Sequence, residues 1–219
     1  MDIQEISFNS QHNFRFTIDK KFKFKNFKTI SEIALENLRF KDPSYLKQIF
    51  PKTKNEVSFK NHKIKLEYEK DNFKIEGKGE ILLQNEIDKI KYKILKNKNQ
   101  IQFNTFLNIS KNPFVINLLN YEKKEKSVLE ISLKGKKIIK DKLIFDEISL
   151  KEKNNIISFK DLILSNDYKI ESIKNVSLDY LDKENLKNKI QLSKKDKNYL
   201  VSGNSFNFNN IINELLNSR

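Results

Sequence analysis

The clearest feature of the sequence is a regular alternation of apolar and polar residues. Within residues 61–70, Ile64, Leu66 and Tyr68 alternate with lysine and glutamate. A period of two residues is typical of a β-strand with one apolar and one solvated face. The pattern recurs at residues 14–18, 22–24, 73–75, 81–83, 90–94, 101–109, 129–133, 143–145, 148–150, 157–159, 162–164, 176–180, 190–192 and 199–201. The chain is therefore predicted to be mainly β.

Short polar clusters lie between these runs and have the composition of turns. They are residues 69–72, 96–99, 151–155, 165–167, 182–185 and 194–198. Because connections of this length join antiparallel neighbours, we expect the strands to pair in chain order as a meander. Only three prolines and four glycines are present, fewer than the corners of a closed sandwich or barrel usually require. The sequence predicts a long open sheet, in which Gly77 and Gly79 mark a bend or bulge.

Two internal segments depart from the alternating pattern. In residues 29–50, apolar residues at helical spacing predict one or two short helices, with Asp42 and either Thr29 or Ser31 as caps. Residues 113–121 form an apolar run that fits either a helical turn or a strand crossing the sheet.

The C-terminal segment also differs, because residues 207–217 place their apolar side chains on one side of a helix. No shift in composition marks a boundary between domains. We therefore expect one continuous architecture, with β-strands and short helices in residues 1–55, an antiparallel meander in residues 56–206 and an amphipathic helix in residues 207–219.

Composition favours strands but says less about partners. The chain contains 17 Phe and 7 Tyr, one Met and no Cys, so its apolar residues are mainly branched or aromatic and suit a pleated surface. The absence of cysteine excludes disulfides and thiolate chemistry. The formal net charge of +14 can attract anionic partners. Nearly all of the positive charge is lysine, in a chain also rich in asparagine and isoleucine, and this resembles the coding bias of an AT-rich genome.

No pattern of residues points to catalysis or to a metal. The two histidines, His12 and His62, lie far apart without metal-ligand spacing, and we expect both in exposed turns. The segment Gly77-Lys78-Gly79 lacks the spacing of a phosphate-binding loop. The carboxylates lie along solvated faces beside lysines. The chain is therefore predicted to be a non-enzyme without a cofactor or metal site.

The sequence gives little sign of a membrane segment or of a nucleic-acid site. The first residues lack the basic start and apolar run of a secretory signal, and no stretch approaches the ~20 apolar residues that span a bilayer. Basic and aromatic residues alternate in residues 22–28, as in some proteins that bind single-stranded nucleic acid. Alternation places the two kinds on opposite faces of a strand, whereas stacking needs both on one face. Nucleic acid is therefore the less favoured partner.

An apolar face of this extent has to be covered. The predicted helices are too few to cover it, so the sheet either holds an apolar ligand, pairs with another sheet or folds over on itself around a closed core. Phe106, Phe114 and Ile139 break the alternation and distinguish these arrangements. Their burial against a helix favours a closed core, and their exposure at a rim favours an open groove.

Four stretches of the chain carry a family resemblance: KIEGKGEILLQN (74–85), IKYKILKNKNQIQFNTFLNI (90–109), LNYEKKEKSVLEISLKG (119–135) and YLVSGNSFNFNNIINELL (199–216). Through them, residues 56–217 resemble the AsmA-like envelope proteins, in particular the YhdP-like branch. The resemblance implies a bridge-like protein of lipid transport, in which a long β-groove carries phospholipid or another acyl-chain lipid across the periplasm between the inner and outer membranes. Because this chain is shorter and lacks the family's membrane anchor, a membrane-anchored remainder of a longer protein is an implied partner.

The resemblance also implies that function lies in an apolar lining rather than at a catalytic point. One parity of the alternating stripe is then expected to line a U-shaped lipid groove: Leu66, Phe73, Ile75, Ile81, Tyr92, Phe103, Leu107, Ile131, Phe145, Phe159, Leu178 and Tyr199.

Overall fold

A computed structural model describes residues 2–41, 44–54, 56–124 and 126–217. These residues form fifteen strands, two short 3-10 helices (Ser44–Gln48 and Asn117–Leu119) and one α-helix, α1 (Asn209–Asn217). The strands are β1 (Ile3–Ile18), β2 (Phe24–Lys41), β3 (Glu56–Glu69), β4 (Asn72–Leu82), β5 (Ile87–Lys96), β6 (Gln100–Ile109), β7 (Val115–Ile116), β8 (Tyr121–Glu122), β9 (Leu129–Ile138), β10 (Leu143–Glu152), β11 (Asn155–Leu164), β12 (Ile170–Ser172), β13 (Asn175–Leu181), β14 (Lys187–Lys195) and β15 (Asn198–Ser205).

Thirteen of the strands form one antiparallel sheet, which confirms the predicted mainly β meander. The strands follow chain order from β1 to β6, continue with β9 to β11 and end with β13 to β15, while β12 pairs only with β11. In the described part of the chain β1 and β15 do not pair with each other, so the sheet is open with one edge at each. Strands β7 and β8 form a separate two-stranded ribbon.

The polar clusters lie at the connections between strands, as predicted. In the first of them, Lys70 and Asp71 have φ angles of 48° and 64° and join β3 to β4. Two consecutive left-handed residues give a turn whose twist matches that of the two strands. The short connections therefore fix both the antiparallel pairing and its register.

The apolar alternation changes phase where a strand contains a bulge. The residues that stand outside the regular pairing include Glu36 in β2, Asn61 in β3, Asp146 in β10 and Asp161 in β11. A bulge inserts one extra residue, so apolar residues three apart on either side of it still share a face. This explains why the alternation within β10 and within β11 reads as two shorter runs.

The helices predicted over residues 29–50 are wrong for the first part of that segment, because residues 29–41 belong to β2. Ile33 and Leu38 lie on the apolar face. Ile30 and Ala34 lie on the polar face, and apolar residues on both faces of one strand imitate helical spacing. Helical structure in the segment is limited to the 3-10 helix Ser44–Gln48. The predicted cap Asp42 lies outside the described residues.

Residues 110–128, described except at position 125, connect β6 to β9 and cover one end of the apolar face; we call them the cap. The apolar run at 113–121 contains the helical turn that was one of its two predicted forms, the 3-10 helix Asn117–Leu119. Instead of a strand that crosses the sheet it holds β7 and the start of β8, which pair with each other. Phe114 in the cap packs on Phe50 with ring centroids 5.5 Å apart. The buried core centres on this contact and comprises Phe50, Val57, Ile81, Leu83, Ile109, Phe114, Leu119, Tyr121, Leu129, Ile131, Leu150, Ile157, Leu178 and Tyr180.

Buried carboxylates tie the cap to the sheet. Glu152 in β10 accepts hydrogen bonds from the Tyr121 hydroxyl (2.8 Å) and the Lys124 backbone N–H (2.7 Å). Asp88 in β5 accepts one from the Asn112 amide (2.7 Å). Burial acts to raise the pKa of both carboxyls; it prevails at Asp88, whereas at Glu152 the hydrogen bonds outweigh it and lower the pKa. Glu152 is therefore held as the anion, and its hydrogen bonds stabilise the cap.

Candidate functional site

The strand register places all twelve predicted lining residues on one face of the sheet. Residues paired directly across antiparallel strands share a face. The pairs can be followed across six strands, from Leu66 through Ile75, Ile94, Phe103 and Gly135 to Phe145. We call this the apolar face and the other the polar face.

The cap divides the apolar face into a closed half and an open half. In the closed half, Ile81, Ile131 and Leu178 belong to the buried core, and Leu107 and Phe159 pack against it. These five predicted lining residues therefore contribute to a packed interior.

The other seven predicted lining residues lie in the open half, outside the core cluster. Leu66, Ile75, Tyr92, Phe103 and Phe145 are half-buried by their neighbours, while Phe73 and Tyr199 are exposed. Aromatic pairs extend across the strands of this half, with ring centroids 4.7 Å apart for Tyr68 and Phe73 and 5.6 Å apart for Phe103 and Phe145. The open half is thus mostly apolar across the sheet, with lysines beside its outermost residues, as Lys96 is beside Phe73.

His62 lies on the apolar face between the two halves, so the prediction of an exposed turn histidine is wrong for it. Its side chain is buried, with Nε2 2.9 Å from the Glu80 carbonyl and Nδ1 3.2 Å from the Tyr92 hydroxyl. Burial lowers its pKa, against the opposing effects of the Glu80 carbonyl and carboxylate. His12 is exposed, but it lies in β1 rather than in a turn, and its Nδ1 is 2.7 Å from the Ser31 hydroxyl.

Two glycines of β4 make room for these rings. A Cβ at Gly77 would lie 2.3 Å from the Tyr92 ring, and one at Gly79 would lie 2.2 Å from the His62 ring. The bulge predicted for this pair lies instead in the neighbouring strand, at Asn61 opposite Gly79. The glycines therefore serve ring packing.

A phenylalanine-rich tip extends the apolar face at its open end. The last pair between β2 and β3 joins Lys28 to Glu69, so the β1–β2 hairpin projects beyond the sheet through residues 15–27. Phe22 at the turn is 86% exposed, and Phe14, Phe16, Ile18, Phe24 and Phe27 are also exposed. Six basic residues lie among them: Arg15, Lys20, Lys21, Lys23, Lys25 and Lys28. We call residues 14–28 the hairpin tip.

Asp19 fixes the turn of the hairpin tip. Its carboxylate accepts hydrogen bonds from the backbone N–H groups of Lys21 (2.8 Å) and Lys23 (3.0 Å) and forms an ion pair with Lys25 (3.0 Å). These contacts lower the pKa of Asp19. The exposed aromatic residues are therefore presented on an ordered turn. Alternation alone predicts an ordinary strand for residues 22–28. It does not show that β3 pairs with β2 only as far as Lys28 and leaves the earlier residues without a partner on that side.

A large cavity lies on the polar face, for which the sequence predicts no site. It has a volume of about 950 Å³ and spans β1 to β6. Most of its lining residues alternate with those of the apolar face, and Tyr92 is its one contact with the twelve predicted residues. The three residues that break the alternation give a mixed answer on whether the core is closed or the sheet forms an open groove. Phe114 is buried in the cap, whereas Phe106 and Ile139 are exposed. The molecule thus combines a closed core with an open surface.

Comparisons of the chain with protein-family models, curated proteins and solved structures found no match. None of the helices in the described ranges is long and apolar enough to cross a membrane. Among the same residues, histidine and acidic side chains form no group of three or more that could hold a metal ion.

Proposed function

We propose that this chain is a non-enzymatic lipid-binding segment of a lipid-transfer protein, and that acyl chains lie along the open half of the apolar face. The observation that carries the proposal is the shape of this face. It is continuous in register across the sheet, sealed at one end by the cap and open at the end where the hairpin tip projects.

An acyl chain would gain from contact with this surface. Each CH₂ group removed from water contributes about 0.8 kcal/mol, so a chain lying across several strands gains several kcal/mol. Aromatic and branched side chains build this surface. The row of paired residues Leu66, Ile75, Ile94 and Phe103 contains no charged side chain. Apolar surfaces of this extent on soluble domains usually mark binding sites.

The hairpin tip supplies a contact with a bilayer, which a lipid-transfer protein needs. Exposed phenylalanines can enter the apolar boundary of a membrane while neighbouring lysines meet anionic head groups. The six basic residues of the tip are opposed within it by Asp19 alone. Together with the resemblance to AsmA-like proteins, this favours phospholipid as the cargo, a place in the cell envelope between the inner and outer membranes, and a membrane-anchored partner.

A second candidate is a structural β-sheet protein whose apolar face is filled by protein side chains. The closed half favours it, because Ile109, Leu129 and Tyr180 are fully buried within a core of protein side chains. This candidate predicts that the open half carries no lipid.

Native mass spectrometry of the purified chain, followed by organic extraction and lipid analysis, separates the two candidates. Lipid transfer predicts bound phospholipid that is released on unfolding. Phe103→Asp and Phe145→Asp should abolish retention, because each places a carboxylate on the acyl-chain surface. Gln102→Asp is the matched control, since it adds the same charge to β6 on the polar face and should retain lipid.

The β content of each variant, measured by circular dichroism, shows whether a loss of lipid reflects the surface or the fold. If both aspartate variants unfold, Phe103→Ser and Phe145→Ser provide the same comparison with an uncharged side chain. A ligand-free wild-type mass, or equal lipid retention in folded wild type and variants, would contradict the proposal.

A further inference from the structure

Charges on the polar face are arranged in rows across the strands. A row consists of residues that pair directly on successive strands, so their side chains are neighbours. One row, from β2 to β6, contains Glu32, Lys65, Glu76, Lys93 and Asn104. A second, nearer the cap, contains Asn37, Lys60, Glu80, Lys89 and Asn108. In both rows every lysine stands beside a glutamate, so no two lysines are direct neighbours.

The row between these two breaks the rule. It contains Ala34, Lys63, Lys78, Lys91 and Phe106, so three lysines stand side by side on β3, β4 and β5. Like charges directly opposite each other destabilise a sheet. Within the described residues, no ion pair or side-chain hydrogen bond engages any of the three. We call these three residues the lysine row.

The lysine row lies within the cavity of about 950 Å³, which all three lysines line. Small-molecule sites have volumes of about 300–1,000 Å³, so the space suits one organic ligand. Ala34 and Phe106 stand at the two ends of the row and also line the cavity. The aliphatic stems of lysines present further apolar surface while their ammonium groups remain solvated. The cavity therefore combines a cationic centre with apolar ends.

We propose that the lysine row is a binding site for a phosphate-bearing organic anion. A phosphate group carries close to two negative charges and several acceptor oxygens, and lysine ammonium groups bind it as point charges with three donors each. Its binding would relieve the repulsion among the three lysines, while the apolar ends would contact the organic part of the ligand. The inference goes beyond the proposed function, because the acyl chains would lie on the opposite face.

Titration calorimetry with inorganic pyrophosphate at constant ionic strength tests the site. Wild type should bind, and Lys78→Gln and Lys91→Gln should each weaken binding at least about tenfold, because each removes a direct contact with the anion. Lys89→Gln is the matched control: it lies on β5 two positions from Lys91 and loses the same charge outside the cavity. Its affinity should stay within about twofold of wild type.

A second measurement needs no ligand and tests the repulsion itself. In low salt, Lys78→Gln should raise the denaturation midpoint of the free protein, because it separates like charges. Lys93→Gln should not raise it, because Lys93 is paired with Glu76 at 2.9 Å. Pyrophosphate should raise the midpoint of wild type and lose most of this effect in Lys78→Gln.

The phosphate could belong to a soluble compound or to a lipid head group, and a parallel experiment distinguishes them. Vesicles of phosphatidylcholine containing phosphatidic acid present the group on a membrane. Binding of pyrophosphate that depends on Lys78 supports a soluble ligand, and binding of these vesicles alone, again dependent on Lys78, supports a lipid head group. Absence of both, or binding that Lys78→Gln and Lys89→Gln weaken equally, would overturn the site while leaving lipid retention on the apolar face unaffected.

Discussion

Gly135, on the apolar face of β9, lies so close to the backbone of β10 that a Cβ has no room. A Cβ at this position would lie 2.1 Å from the Ile144 carbonyl oxygen and 3.0 Å from the Phe103 ring. The nearest atom is backbone and cannot rotate away. We expect Gly135→Ala to lower the free energy of unfolding by about 1–3 kcal/mol, as overpacking commonly does, measured by urea denaturation. Lys136→Ala, on the polar face of the same strand, should change it by less than about 0.5 kcal/mol. A neutral Gly135→Ala would refute this account.

His62 predicts an acid-sensitive contribution to stability. Burial lowers its pKa in the folded protein below the usual 6.5, so the unfolded chain binds the proton more tightly. The contribution is complete above pH ~6.5 and is lost as the pH falls through the interval down to the folded pKa. Denaturation between pH 8 and 5 should show wild-type stability falling relative to that of His62→Gln.

His12→Gln is the matched control for this measurement, because His12 is exposed and is the other histidine of the chain. Its pH dependence should follow that of wild type over the same range. If His62→Gln also follows wild type, the titration of His62 does not contribute to stability.

At the scale of single residues, sequence reasoning located the apolar face but could not locate the lysine row. Alternation alone shows that Lys63, Lys78 and Lys91 lie on the face of the sheet opposite the apolar residues. Their adjacency depends on the register of three strands, which the Asn61 bulge helps to set. The error at His62 has a different cause: NHK resembles a polar turn, although alternation with Ile64 and Leu66 already places His62 on the apolar face.

Among the elements, the bulges explain which strands were predicted well. Strands β5, β6 and β9 lack a bulge in their mutual pairing and were recognised directly from alternation. The pattern of β2 resembles a helix because apolar residues such as Ile33 and Ala34 lie on both faces of the strand. The cap could not be predicted from local patterns, because its position is fixed by distant partners such as Tyr180, whose hydroxyl donates to the Leu119 carbonyl at 2.6 Å.

The hairpin tip gives a prediction about membranes. Vesicles containing anionic phosphatidylglycerol should bind the protein in a co-sedimentation assay, and Phe22→Ser combined with Phe24→Ser should weaken the binding at least about tenfold. Burial of one phenylalanine side chain contributes about 1.5–3 kcal/mol, so partial insertion of two accounts for this loss. Phe208→Ser is the control, since it removes an exposed phenylalanine away from the tip and outside the cavity. Equal binding by all three proteins would show that the tip does not insert.

Salt distinguishes insertion from charge attraction at the same tip. The electrostatic part of the binding weakens as added salt screens the lysines, whereas the apolar part persists. We therefore expect wild type to retain measurable binding at high salt and the double serine variant to lose it. The same result would separate a membrane contact from nucleic-acid binding, which falls steeply with salt.

For the molecule as a whole, the predicted open sheet was correct because alternation, short connections and scarce glycine all favoured it. The sequence did not predict that the apolar face would be half closed. Five of the twelve lining residues, among them Ile81 and Leu178, lie in or against the core, whereas Phe73 and Tyr199 remain exposed. One alternating pattern serves both halves, and the segments that cover one of them, the cap and the residues around Phe50, decide which part is buried.

The order of the strands has a consequence for how the chain folds. Almost every strand bonds to the strand before it and the strand after it, so most contacts between strands join elements that are neighbours in the chain. Little loop entropy is lost when each hairpin forms, and a topology of low contact order folds quickly for its size. The cap is the exception, because Leu119 and Tyr180 meet across 61 positions. The topology therefore favours local zipping of the sheet, with docking of the cap as the step that depends on the strands furthest along the chain.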